Sequence, residues 1–125
     1  MSTNRRVFLV EAVRANIDIT PAEEFGEICY IFNQNTKRKS VFKTNDFCAD
    51  VLERLQVANF NSSLDLFCVS GSMVPVCVSL AAIVAEYAEG INVLFYNSIE
   101  DCYIERKVVA SNWASGYEEE INVES

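Results

Sequence analysis

The sequence predicts a small α/β protein with one three-layer, Rossmann-like mixed sheet of about five strands, a parallel centre and an antiparallel C-terminal hairpin. Three observations predict it. Short apolar runs alternate with helix-period segments along 125 residues, a length that suits one domain. Residues 64–90 read as a buried strand, a Ser70-Gly71-Ser72 turn, a helix apolar on nearly every side and a glycine stop. Finally, Ile91 to Val109 reads as two strands around a polar five-residue loop, which is a hairpin pattern.

Arg5 to Val13 forms the expected first strand, with Val7-Phe8-Leu9-Val10 as its buried run. Thr20-Pro21-Ala22-Glu23 is a helix start. Thr20 can cap it, Pro21 suits the first helical position, and Glu23 completes a capping box. Gly26 stops that helix after about one turn. Glu27 to Phe32 is the second strand.

Residues 33–44 form a polar, basic loop, and Thr44 or Asn45 is the expected cap of the next helix. Along that helix Phe47, Val51, Leu52 and Leu55 share one face, and it ends near Ala58. The third strand follows from Leu64, beginning its buried part at Asp65. The helix from Met73 to Ala88 is apolar all round, and such a helix is expected to be covered all round. Ile91 to Tyr96 is the fourth strand, Asn97 to Asp101 the hairpin loop, and Cys102 to Val109 the fifth strand. Glu105, Arg106 and Lys107 place the fifth strand at an edge. Helices join strands 2, 3 and 4, so these are expected to be parallel neighbours, with the pairing of strand 1 left open. The expected division is an α/β domain over 1–110 and an acidic tail over 111–125 that carries Trp113, Tyr117 and Glu118-Glu119-Glu120.

The composition narrows the chemistry. There is no histidine, so Ser-His and Cys-His nucleophile pairs and histidine acid/base catalysis are excluded. The five cysteines, Cys29, Cys48, Cys68, Cys77 and Cys102, show no C-x-x-C spacing and are expected as reduced core thiols, with no disulfide and no metal site. No cofactor is implied. No apolar run reaches the length of a membrane span, and the expectation is a soluble, cytoplasmic protein without a membrane partner.

The net charge is −8, and it is uneven. Residues 1–43 hold seven basic and five acidic side chains, whereas residues 44–125 hold three basic and thirteen acidic. Such a chain repels nucleic acid, so duplex DNA is not an expected partner, and a protein with a basic surface is.

Two candidate sites stand out. Ser70, Gly71 and Ser72 form a small-residue turn at a helix N-terminus, able to offer backbone N–H groups to an anion. Tyr96 and Asn97 end the fourth strand at the same sheet edge and are candidate lining residues. The P-loop lysine and the G-x-G-x-x-G pattern are missing, so nucleotide hydrolysis is not indicated. The bland alternative for the turn is an ordinary strand-to-helix connection with Ser72 as N-cap. The other candidate is Lys37-Arg38-Lys39 with Lys43, a basic loop that could touch phosphate or simply be solvated. Glu86 and Glu89 close the apolar helix far from the turn and read as solvated.

Several segments carry a family resemblance: Val7-Phe-Leu-Val, Asp18-Ile-Thr-Pro-Ala-Glu-Glu-Phe-Gly-Glu-Ile, Asp65-Leu-Phe-Cys-Val-Ser-Gly-Ser, and Val93-Leu-Phe-Tyr with Tyr103. In these the chain resembles small, uncharacterised α/β proteins encoded by tailed phages. The resemblance implies a phage setting and the host cytoplasm, and it brings no catalytic residues. The strand–turn–helix unit is also similar to domains that sense cyclic oligonucleotides, without their Gly-Gly-Thr-Lys-like character. The first functional reading is therefore a non-catalytic accessory or interaction protein that binds a host or phage protein, with homo-oligomerisation open. The alternative is a small-ligand module that holds a phosphate- or nucleotide-bearing molecule at Ser70–Ser72. An enzyme stands last.

Overall fold

A computed structural model describes residues 4–12, 18–33 and 46–110. The element order is β1 (Arg6–Leu9), a 3-10 helix η1 (Thr20–Glu24), β2 (Glu27–Tyr30), α1 (Phe47–Val57), β3 (Leu66–Cys68), α2 (Met73–Glu86), β4 (Ile91–Asn97) and β5 (Cys102–Val108). The five strands form one sheet in the order β2-β1-β3-β4-β5. All pairings are parallel except the β4–β5 hairpin. The mixed α/β sheet with a parallel centre and an antiparallel hairpin is thus as the sequence predicts.

The strand order corrects one expectation. β2 and β3 are not neighbours, because β1 lies between them, pairing Val7 with Ile28 on one side and with Leu66 on the other. The reason is hydrophobic. β1 presents Val7, Phe8 and Leu9 to both faces, all buried, and such a strand belongs at the centre of a sheet. β2 has no buried residue within its four positions and sits at the edge.

This order also fixes the layers. A right-handed crossover from β2 over β1 to β3, and another from β3 to β4, run in the same direction and put α1 and α2 on one face. The connection from β1 to β2 runs the opposite way and puts η1 on the other. The packing follows. Phe8, Phe67 and Val93 meet Phe47, Val51 and Leu55 of α1 and Val76 and Ile83 of α2. On the opposite face Val7, Leu9, Leu66, Cys68, Leu94 and Tyr103 meet Ala22 of η1, flanked by Ile19 and Phe25. The third layer is therefore one short 3-10 turn.

Local starts and stops differ in detail from the sequence reading. η1 is held by the Asp18 carboxylate, which accepts from the Thr20 backbone N–H at 2.9 Å, and Thr20 itself makes no cap. Asp46 takes the cap position of α1, just after the expected Thr44 or Asn45. The expected α1 stripe is present, with Phe47, Val51 and Leu55 buried and Leu52 packed against the same core. β2 stops at Tyr30, yet Ile31 and Phe32 still donate to the carbonyls of Leu9 and Val10 at 2.8 and 2.9 Å. Gly26 ends η1 where a side chain cannot fit, since a Cβ there would stand 2.4 Å from the Arg5 carbonyl oxygen.

At the edge where the parallel strands begin, Arg6 joins three elements. Its guanidinium pairs with the buried Asp65 carboxylate at 2.8 Å and donates to the carbonyls of Ala58 and Asn59 at 2.7 and 2.8 Å. It thereby caps the C-terminal end of α1, where Asn59 adopts φ 58°. Arg5 makes a two-pronged contact with Glu105 of β5, at 2.7 and 3.1 Å, across the η1 face. Both interactions join parts of the chain far apart in sequence.

Candidate functional site

In open α/β sheets, ligands sit outside the carboxyl ends of two adjacent strands whose connections leave in opposite directions. Here those strands are β1 and β3. The turn at Ser70, Gly71 and Ser72 follows β3 directly and so stands at that switch point. Ser70 is half-buried, while Gly71 and Ser72 are exposed. Gly71 has φ 114°, a conformation that side-chain-bearing residues rarely adopt. Ser72 occupies the N-cap position of α2, but its hydroxyl makes no capping bond; only its carbonyl is used, accepting from the Val76 N–H at 3.1 Å.

Tyr103, which the sequence reading did not single out as a site residue, links the candidates. It is buried on β5, with Ser70 and Cys68 near enough to its hydroxyl to act on its ionisation. Its ring meets that of Tyr96 edge-on, with centroids 5.4 Å apart. Tyr96 in turn donates its hydroxyl to the Asp101 carboxylate. The structure therefore brings Ser70 and Tyr96 together through Tyr103. The Asn97 side-chain oxygen accepts from the N–H groups of Ile99 and Glu100 at 3.0 and 3.3 Å and shapes the hairpin turn. The signal for Tyr103 was the alternation of β5, which sets it opposite Tyr96 in register.

The electrostatics of this cluster favour neutral groups. Burial pushes the Cys68 thiol up to about 11. Burial also raises Tyr103, with smaller contributions from Cys68 and Asp18. The hydrogen bond to Asp101, more than any other cause, raises Tyr96. Each shift favours the neutral form, which a thiol and a phenol already hold near neutral pH. Two carboxylates, Asp18 and Asp101, act on the tyrosines of the cluster, a poor setting for a phosphate.

The structure corrects the expectation for α2. Among the described residues, this helix apolar all round is covered on one side only. Pro75, Val76, Ser79 and Ile83 are buried, whereas Met73 is 76% and Val74 42% exposed, and Cys77, Ala81 and Ala85 are exposed too. The outer face carries a groove of about 420 Å³ lined by Cys77, Leu80, Ala81, Val84, Ala85 and Ala110. No charged residue lies between Met73 and Ala85. An exposed apolar stretch of this kind marks a surface that meets another surface. Cys77 and Cys102 are accordingly exposed, which corrects their reading as core thiols. Glu86 and Glu89 are exposed as expected, with Glu89 held below the usual carboxylate range by the Ser62 hydroxyl.

Lys37, Arg38, Lys39 and Lys43 lie outside the described residues, as do Trp113 and Tyr117 of the tail. Among the described residues no helix is long and apolar enough to cross a membrane.

Compared with known proteins, the chain matches a family model described as Phage Pam3 gp32-like protein over residues 5–110, nearly the whole of the described fold. No curated protein and no solved structure gives a significant match.

Proposed function

The chain belongs to the Phage Pam3 gp32-like protein family, and from that premise we propose that it is a non-catalytic interaction protein that binds another protein through the outer face of α2. The observation that carries this reading is the uncharged, exposed stretch from Met73 to Ala85 with its groove. A monomer gains nothing from leaving Met73 and Val74 in water, while a partner would bury them at about 25 cal/mol per Å². Binding through an uncharged face is expected to survive high salt, unlike docking of a basic partner on the acidic surface.

A second reading is a small-ligand module at Ser70, Gly71 and Ser72. Their place at the β1/β3 switch point favours it; the carboxylates of Asp18 and Asp101 weigh against a phosphate-bearing ligand.

The test is affinity capture from infected-host lysate with the wild-type chain and an Ala81→Glu variant, whose exposed position leaves the fold intact. Protein retained by the wild type and lost from the variant supports the interaction reading. Equal capture by both rejects the α2 face as its seat.

A further inference from the structure

We propose that the partner of the α2 outer face is a second copy of this chain, the two α2 helices crossing in antiparallel sense about a two-fold axis between Cys77 and Ala81. This rests on the interaction reading above and names the occupant of that same face.

The relief of the face is self-complementary. Met73 and Val74 project at the N-terminal end of α2, while Cys77, Ala81 and Ala85 form a low floor toward its C-terminal end, with Ala110 beside them. A two-fold axis between Cys77 and Ala81 sets Met73 of one copy over Ala85 of the other, Val74 over Val84 and Cys77 over Ala81. The projecting Met73 then falls on the low Ala85, and Val74 meets Val84 as a side chain of equal size. Residues 73, 77, 81 and 85 are spaced four apart and form one ridge, and such ridges pack against each other at about −50° with axes roughly 8 Å apart when the central residues are small. A symmetric contact of this kind uses the same patch twice.

The charges agree with that arrangement. Each chain carries −8, but the stretch from Met73 to Ala85 carries no charge, so the two ridges themselves meet without like charges. The first charged residue past the floor is the exposed Glu86. In an antiparallel pair it approaches the N-terminal end of the partner's α2, where N–H groups attract an anion and Ser72 supplies no side-chain cap. A parallel pair would place the two Glu86 carboxylates side by side.

The area sets the strength. α2 has 14 residues, hence a length of about 21 Å. One helix ridge buries less than the roughly 800 Å² per partner of a standard interface, so a weak, micromolar dimer is expected.

Sedimentation equilibrium of the full chain from ~1 µM to ~300 µM tests this, a range that brackets micromolar association. The expected result is a mass that rises from one chain toward two. Ala81→Glu, and independently Met73→Glu, should hold the mass at one chain while the circular dichroism spectrum is unchanged. A short bismaleimide crosslinker on the wild type should give a Cys77–Cys77 linked peptide by mass spectrometry. A single-chain mass at every concentration overturns self-pairing, as does a dimer that persists in both variants. A dimer that forms only after residues 111–125 are removed also overturns it and makes that segment the occupant. If the chain is monomeric yet wild type and Ala81→Glu differ in lysate capture, self-pairing alone has failed; if they do not differ, the interaction reading has failed with it.

Discussion

The Arg6 guanidinium reaches the Asp65 carboxylate at 2.8 Å, and the two ends of this pair live in different solvents: Asp65 is 1% exposed and Arg6 28%. Asp65 also accepts from the backbone N–H groups of Arg6 and Asn61, at 3.1 and 2.8 Å. One buried side chain thus ties the start of β1 to the loop after α1. Asp65→Ala leaves those donors unmet, although Arg6 can still turn to water. A loss of about 2–4 kcal/mol is expected, the lower part of the range for a broken buried pair. Urea unfolding followed by circular dichroism measures it, and a loss under about 1 kcal/mol would show that the pair does not hold β1.

The two sides of α2 should respond oppositely. Ile83 is fully buried against the sheet, and Ile83→Ala should cost about 2–5 kcal/mol. Ala81 is exposed, and Ala81→Glu should stay within about 0.5 kcal/mol. Thermal melts at low protein concentration, where any dimer has dissociated, make the comparison. Similar losses at both sites would contradict the one-sided burial of this helix.

Cys68 gives the pH dependence a sign. Its thiol ordinarily ionises near 9.0 and is pushed by burial to about 11. Between those values the unfolded chain loses a proton that the folded chain keeps, so stability falls as pH rises. Its share is intact below about pH 9, declines through about pH 11, and amounts to ~2–3 kcal/mol at most. Tyr103, raised by the same burial, adds in the same direction. Chemical denaturation at pH 8 and pH 10.5 should show the decline, and Cys68→Ala should flatten it. Thiol labelling should modify Cys77 and Cys102 first and reach Cys68 only on unfolding.

Asn97 should behave as a turn residue. Asn97→Ala removes the acceptor for the Ile99 and Glu100 N–H groups and is expected to cost about 1 kcal/mol, the value typical of a lost cap. If Asn97 instead serves a ligand, the substitution will leave the melting temperature unchanged.

The sheet was legible in the sequence because burial on both faces leaves continuous apolar runs. Val7-Phe8-Leu9 and Leu66-Phe67-Cys68 are buried at every position, and both runs mark central strands. The order of those strands was not legible from connectivity: a helix joins β2 to β3 whether they touch or not, and only the burial of β1 decides which strand lies between. The coverage of α2 misled for a related reason. Hydrophobicity states what a helix could bury, while the exposure of Met73 and Val74 depends on which neighbours exist, and among the described residues α1 is the only helix that shares their face of the sheet. At the candidate site, Ser70 and Tyr96 were readable as an edge of the sheet. Their link through Tyr103 was not, since it requires the register of Tyr96 against Tyr103.

The central position of β1 has a consequence for how the chain is made. β1 precedes both its partners, at residues 27–30 and 66–68, in the chain, and its anchors Arg6 and Arg5 close on residues 59 and 100 positions downstream. The middle of the sheet is therefore synthesised before its neighbours and completed late. During elongation Val7, Phe8 and Leu9 have to wait, able to pair early only with the short β2. The β4–β5 hairpin, by contrast, needs only its own residues. A ribosome stalled before residue 66 carries a nascent chain whose most apolar strand has one neighbour instead of two, and such chains are the ones a host chaperone would hold.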